Sequence, residues 1–143
     1  MTLFLVHHAD AVGSDVDPQR SLSARGRAQA DSLAHRAKAA GCAPVAIWHS
    51  GKLRARQTAE AFHRICSPFA AFKMVRGLRP DDPPDFLRAS IAGETADLLV
   101  VGHMPNIREI LRMLTGDGEF PFHGLVAVET RDRGETWAEV WRA

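Results

Sequence analysis

The feature that most constrains this chain is the repeated succession of a short, wholly apolar run, a polar turn carrying histidine, and a segment with helical spacing. Leu3-Phe4-Leu5-Val6 ends abruptly at His7-His8, and a run with no polar alternation suits a strand buried on both faces. Ser23 can cap a helix to about Ala40, with Ala30, Leu33, Ala34 and Ala37 on one face before Gly41 stops it. Val45 to Trp48 reads as a second strand. Leu53 to about Ile65, with Ala55, Ala59 and Phe62 at three- to four-residue spacing, reads as a second helix. Ala71 to Val75 is a weaker strand, three prolines make Arg79 to Pro84 irregular, and Asp85 to about Ile91 is a short helix. Asp97 to Val101 is again strongly apolar. Pro105, at a first helical position, then opens a helix carrying Ile107, Ile110, Leu111 and Leu114, closed by Gly116. Leu125 to Thr130 and Thr136 to Trp141 look like a terminal hairpin.

Strands alternating with helices predict an α/β three-layer sandwich: a mostly parallel central sheet, helices on both faces, and a C-terminal hairpin. No linker divides residues 1–143, so one domain is expected. With 45% hydrophobic and 24% charged residues, the chain can bury an ordinary core without a metal or a disulfide. Cys42 and Cys66 follow no metal-ligand spacing and read as reduced, structural residues. The formal net charge of +1 offers neither a nucleic-acid stripe nor a membrane anchor. All apolar runs are strand-sized, so the expected location is the cytoplasm.

In such sheets, ligands bind outside the carboxyl ends of the strands. Three of those ends carry unusual polar residues: His7-His8, His49-Ser50 and His103. Arg54 lies at the start of the second helix, where free backbone N–H groups and the helix dipole also favour an anion.

At these positions the chain resembles the histidine phosphatase superfamily, also called phosphoglycerate mutase-like. Leu5-Val6-His7-His8-Ala9-Asp10-Ala11 is similar to the family's apolar strand followed by Arg-His-Gly or Arg-His-Ala. Leu22-Ser23-Ala24-Arg25-Gly26 resembles its Leu-Thr-x-x-Gly helix opening. Ser50 to Ala59 looks like Ser-Pro-x-x-Arg-Ala-x-Gln-Thr-Ala, and Gly102-His103 matches the Gly-His motif. The short chain is most similar to the small SixA-like branch, which removes phosphate from protein histidines. The resemblance implies that His8 is the nucleophile, that Arg54 and His103 hold the equatorial phosphate oxygens, and that no cofactor is required. It makes His7, Arg20 and Ser50 candidate contacts to the phosphate or the site floor, and Asp81 and Asp82 candidate proton donors. The implied partner is a phosphorylated protein or a small phosphorylated substrate.

His7 departs from the pattern, because it stands where most relatives place an arginine. Losing one preorganised donor typically costs on the order of a hundred- to a thousand-fold in rate. A protonated imidazole could replace it in part and would tie activity to pH. A small-molecule phosphomonoesterase and a non-catalytic phosphate-binding domain are therefore the competing readings. A zinc site built from His7, His8, His49 and Asp10 is disfavoured, because neighbours in a strand point to opposite faces. His35, His63 and His123 read as core or surface residues, Arg56 as a surface partner of Glu60, and Trp48, Trp137 and Trp141 as packing.

Overall fold

The apolar runs pair side by side into one six-stranded sheet. The computed structural model describes residues 1–143. Its elements are β1 (Thr2–His7), α1 (Ala24–Ala39), β2 (Ala46–His49), α2 (Leu53–Cys66), β3 (Ala71–Met74), α3 (Asp85–Ile91), β4 (Leu98–Gly102), α4 (Asn106–Thr115), β5 (Leu125–Glu129) and β6 (Ala138–Arg142). Strand order is β3-β2-β4-β1-β5-β6. The first four of these are mutually parallel, and β5 and β6 extend the sheet antiparallel. The α/β three-layer expectation and the terminal hairpin are both observed.

Why the strands are apolar throughout is plain from their two faces. Phe4, Val6, Leu99 and Val101 pack on one side with Leu33, Ala34 and Ala37 of α1 and Ala55, Ala59 and Phe62 of α2. Their neighbours Leu3, Leu5, Leu98 and Val100 pack on the other side with Leu87 and Ile91 of α3 and Ile107, Ile110 and Leu111 of α4. Each fully buried aliphatic side chain contributes about 1.5–3 kcal/mol. The central pair β1·β4 is therefore the least replaceable part of the sheet.

Local chemistry sets the element ends. Ser23 caps α1 by accepting from Gly26 N–H at 2.9 Å, and Gly116 closes α4 in the left-handed region. Pro105 stands just before α4, as its cap residue, rather than at its first helical position; its carbonyl accepts from Glu109 N–H at 3.0 Å, and the Asn106 N–H donates to the Pro80 carbonyl at 3.2 Å. Strand β6 starts two residues later than the sequence pattern suggests. The Asp132 carboxylate accepts from Thr136 N–H at 2.8 Å and keeps that residue in the turn. Trp48 is buried, and Trp137 and Trp141 pack against the two core layers. Cys42 and Cys66 are free thiols in the α1/α2 layer, and the Cys66 thiol beside Cys42, together with burial, pushes the Cys42 thiol up. No helix is long and apolar enough to cross a membrane.

Gly26 shows why the helix opening has its sequence. A Cβ there would meet the Asp10 carbonyl oxygen at 1.9 Å, a backbone atom that cannot swing aside. Helix propensity alone favours Ala over Gly by about 1 kcal/mol. The steric argument predicts the opposite sign: Gly26→Ala destabilises by about 2 kcal/mol or more, whereas exposed Arg25→Ala is neutral within about 0.5 kcal/mol. Chemical denaturation of the two variants checks this, and a stabilised Gly26→Ala would refute it.

Candidate active site

Parallel pairing carries three strand ends to one place. His7 lies opposite Gly102, and His8 N–H donates to the Gly102 carbonyl at 3.1 Å. His103 is the next residue, so the His8 and His103 rings come to 4.9 Å between centroids. A cavity of about 320 Å³ opens here, lined by His7, His8, Asp10, Arg20, Arg54, His103 and His123, among others.

The loop that presents His8 is pinned from α2. Ala9 N–H donates to the Thr58 hydroxyl at 3.0 Å, and Thr58 in turn donates to the Arg54 carbonyl at 2.8 Å. Gln57 accepts from Leu22 N–H at 2.7 Å, and Gln29 accepts from Asp10 N–H at 3.0 Å. The Gln-Thr pair of the second motif is thus a clamp on the loops beside His8.

Hydrogen-bond partners assign the tautomers. His8 Nδ1–H donates to the Ala9 carbonyl at 2.7 Å, which leaves the Nε2 lone pair free. His7 Nδ1 accepts from His123 N–H at 2.8 Å, so its proton sits on Nε2. Ser50 Oγ accepts from Lys52 N–H at 3.2 Å and shares a 2.6 Å bond with His103 Nε2; when the hydroxyl donates in that bond, the His103 hydrogen sits on Nδ1. Three buried nitrogens, Trp48 Nε1, Arg54 Nε and His103 Nδ1, have no partner within the protein, and the last two belong to residues that line the cavity. Such groups are costly in a fold unless a ligand satisfies them.

Burial is the main force on the histidines. It lowers His7 to about 3, with the neighbouring charges of His8, His123 and Arg54 adding to it. His8 falls to about 4, burial outweighing the Ala9 carbonyl that pulls it up. His103 falls to about 2 through burial, His8 and Arg54. All three are neutral at pH 7. A pH switch through protonation of His7 is therefore not what this packing supports; His7 is a neutral Nε2–H donor. The fixed positive charge comes from Arg54, itself drawn down by burial and by Arg20. The combination of guanidinium charge and neutral N–H donors suits a dianion.

The remaining sequence candidates are distributed as follows. Ser50 is buried behind His103 rather than on the cavity wall. Arg20 lines the cavity, its Nε held by the Val12 carbonyl at 3.1 Å. Pro80 reaches the cavity, but Asp81 is exposed beside it, and Asp82 turns back to accept from Arg79 N–H at 3.0 Å. Asp10 accepts from the Ser23 hydroxyl at 2.6 Å. His49 points away, accepting from Gly51 N–H at 3.0 Å and packing on Phe72. Arg56 pairs with Glu60 at 2.9 Å.

One residue corrects the sequence reading. His35 is exposed and His63 bonds the Ala70 carbonyl, but His123 lines the cavity. It precedes β5, which pairs antiparallel with β1, and that long-range pairing sets its ring parallel to His7 at 4.9 Å with a 5° interplanar angle. The signal that could have found it is its place immediately before a strand. Ring nitrogens of His7, His8 and His123 lie within 4.8 Å of one another, a spacing that could hold a metal ion. The bond from His123 N–H already occupies the His7 Nδ1 lone pair, and the Arg20 and Arg54 guanidiniums repel a dication. The set fits an anion better.

The family model of the histidine phosphatase superfamily (branch 1) matches residues 6–79. No curated protein matches the chain in sequence. Among solved structures, the chain is similar to a phosphohistidine phosphatase SixA from Agrobacterium tumefaciens, with 23% identity over 99% of this chain and 96% of that one and a TM-score of 0.83. It is also similar to a protein histidine phosphatase SixA complexed with tungstate, at 21% identity, 99% and 96% coverage, and a TM-score of 0.87. A phosphoserine phosphatase from Entamoeba histolytica in complex with phosphoserine follows at 13% identity, 99% and 95% coverage, and a TM-score of 0.73. These likenesses establish the fold.

Histidines held neutral make the fold acid-sensitive. Their folded values lie below the ordinary 6.5, so at pH 5 the unfolded chain binds more protons than the native one. Stability is present above about pH 6.5 and declines as pH falls below it, by on the order of 1 kcal/mol per histidine between pH 7 and 5. Denaturation at the two pH values should show this loss, and His103→Gln should reduce it. Equal stability at both would count against neutral histidines.

Proposed function

The chain belongs to branch 1 of the histidine phosphatase superfamily and is a phosphatase; we propose that it moves the phosphoryl group of a protein phosphohistidine onto His8 and then to water. The observation that carries this reading is the cavity that brings the neutral His8 together with His7, His103 and the charged Arg54, two of which, Arg54 and His103, also hold a buried nitrogen without a protein partner.

In the first step His8 Nε2 attacks phosphorus, and the bond from phosphorus to the substrate nitrogen breaks. The Ala9 carbonyl, 2.7 Å from His8 Nδ1, stabilises the positive charge that develops on the ring. Arg54, His103 Nδ1–H and His7 Nε2–H take the equatorial oxygens, where charge is spread in the transition state. The leaving imidazole takes its proton from water at the cavity mouth, so neither Asp81 nor Asp82 is needed for it. In the second step water attacks phosphorus, the bond to Nε2 breaks, and phosphate leaves with His8 restored.

A protein substrate is supported by the surroundings. At about 320 Å³ the cavity is at the lower end of those that enclose a small ligand, enough for a phosphoryl group and the ring that bears it. Beside it, sharing Arg20 and Arg54, runs a groove of about 560 Å³ that also presents Lys52 and Arg56 and no carboxylate. That groove suits an acidic protein surface. The likeness to structures described as SixA phosphohistidine phosphatases points the same way.

Incubation with labelled phosphoramidate should leave acid-labile label on the wild type and none on His8→Ala. Arg54→Ala should slow labelling about 10²- to 10³-fold. A phosphohistidine peptide should be turned over faster than a phosphoserine peptide. Label persisting on His8→Ala would sink the nucleophile assignment, and saturable phosphate binding without turnover would favour a binding domain.

A further inference from the structure

Four imidazoles, not three, surround this cavity, and the fourth is built in with unusual care. His123 donates from Nδ1–H to the His8 carbonyl at 2.6 Å, so Nε2 carries its lone pair and has no protein partner. Its backbone N–H holds His7 Nδ1 at 2.8 Å, and its ring stacks on His7. The residue sits at φ 53°, and Arg20 at φ 54°; these are two of the three non-glycine residues with positive φ, and both line the cavity. Such backbone is strained and persists where the surroundings enforce it, often at binding sites.

We propose that His123 belongs to the phosphate site and binds a dianionic phosphoryl group through Nε2 as an imidazolium, so that each anion bound draws one proton from solvent. The inference rests on the reading of the cavity as a phosphate site. A ring nitrogen of His123 lies within 4.8 Å of one on His8, and both residues line the same cavity.

Charge explains why the proton arrives with the anion. Facing His123 are His7, His8 and Asp10 from β1 and the loop after it, Arg20 from the following loop, Arg54 from α2 and His103 from the end of β4. On its other side are Arg25 and Arg36 of α1 and the carboxyl-terminal Ala143. Asp10 is engaged by Ser23, and the guanidiniums make the empty cavity positive. Because Nδ1–H of His123 is committed to the His8 carbonyl, Nε2 donates to an oxygen of the anion only when the ring takes up a second proton, and the bond it then makes is charge-assisted. His7, His8 and His103 are held neutral by burial, so they do not supply the proton in the free protein.

Tungstate is the probe, because it stays a dianion from weakly acidic to alkaline pH and carries no proton of its own into the site. Calorimetric titration in buffers of different ionisation enthalpy counts the protons taken up. For the wild type, close to one proton per tungstate is expected at neutral to alkaline pH, with affinity falling about tenfold per pH unit on the alkaline side. His123→Asn is the variant of choice, since Asn tolerates positive φ; it should bind tungstate more weakly, take up no proton and lose the alkaline slope. His8→Ala should keep the uptake. Tungstate bound by the wild type without proton uptake overturns this proposal alone, as does uptake retained by His123→Asn. No tungstate binding at all overturns the phosphate-site reading together with it.

Discussion

The hydrogen-bonded register between β1 and β4 is the constraint on which the rest depends. Opposing His7 to Gly102 places His8 and His103 side by side just beyond the sheet, where neither ring could be brought by its own local sequence. Shifting that register by one residue would exchange the two faces of a strand that is buried on both, misplacing Leu3, Leu5, Phe4 and Val6 at once. Site geometry and core packing are therefore the same requirement, and the core enforces the position of His8.

Around that position, desolvation and fixed charge act in opposite senses on the two kinds of cation. Burial strips the proton from His7, His8 and His103 and so keeps the His8 lone pair available. A guanidinium resists the same burial, and Arg54 remains charged. The arrangement leaves Arg54 Nε and His103 Nδ1 without partners in the protein, a destabilising feature.

Much of this was legible beforehand. The apolar runs are strands to within a residue or two, since a two-faced strand must be apolar at every position. Ser23, Gly26, Gln57, Thr58, Arg54 and His103 stood out as motif residues, and the structure shows the first four to be braces on the loops beside His8. The direction in which Asp82 turns was not legible, because a loop with three prolines offers no periodicity. Nor was His123: its partner in space, His7, is 116 residues away, and only the antiparallel pairing of β5 with β1 joins them.

The sequence by itself determined the alternation of strands and helices and the polar residues at the strand ends, because hydrophobic periodicity and capping are local properties. Tertiary structure alone decided which nitrogen of each histidine bears its proton, how far burial lowers its basicity, and that a fourth imidazole stacks on the first. Those properties depend on the solvent excluded and on the partners supplied by other segments. A chain read residue by residue contains neither.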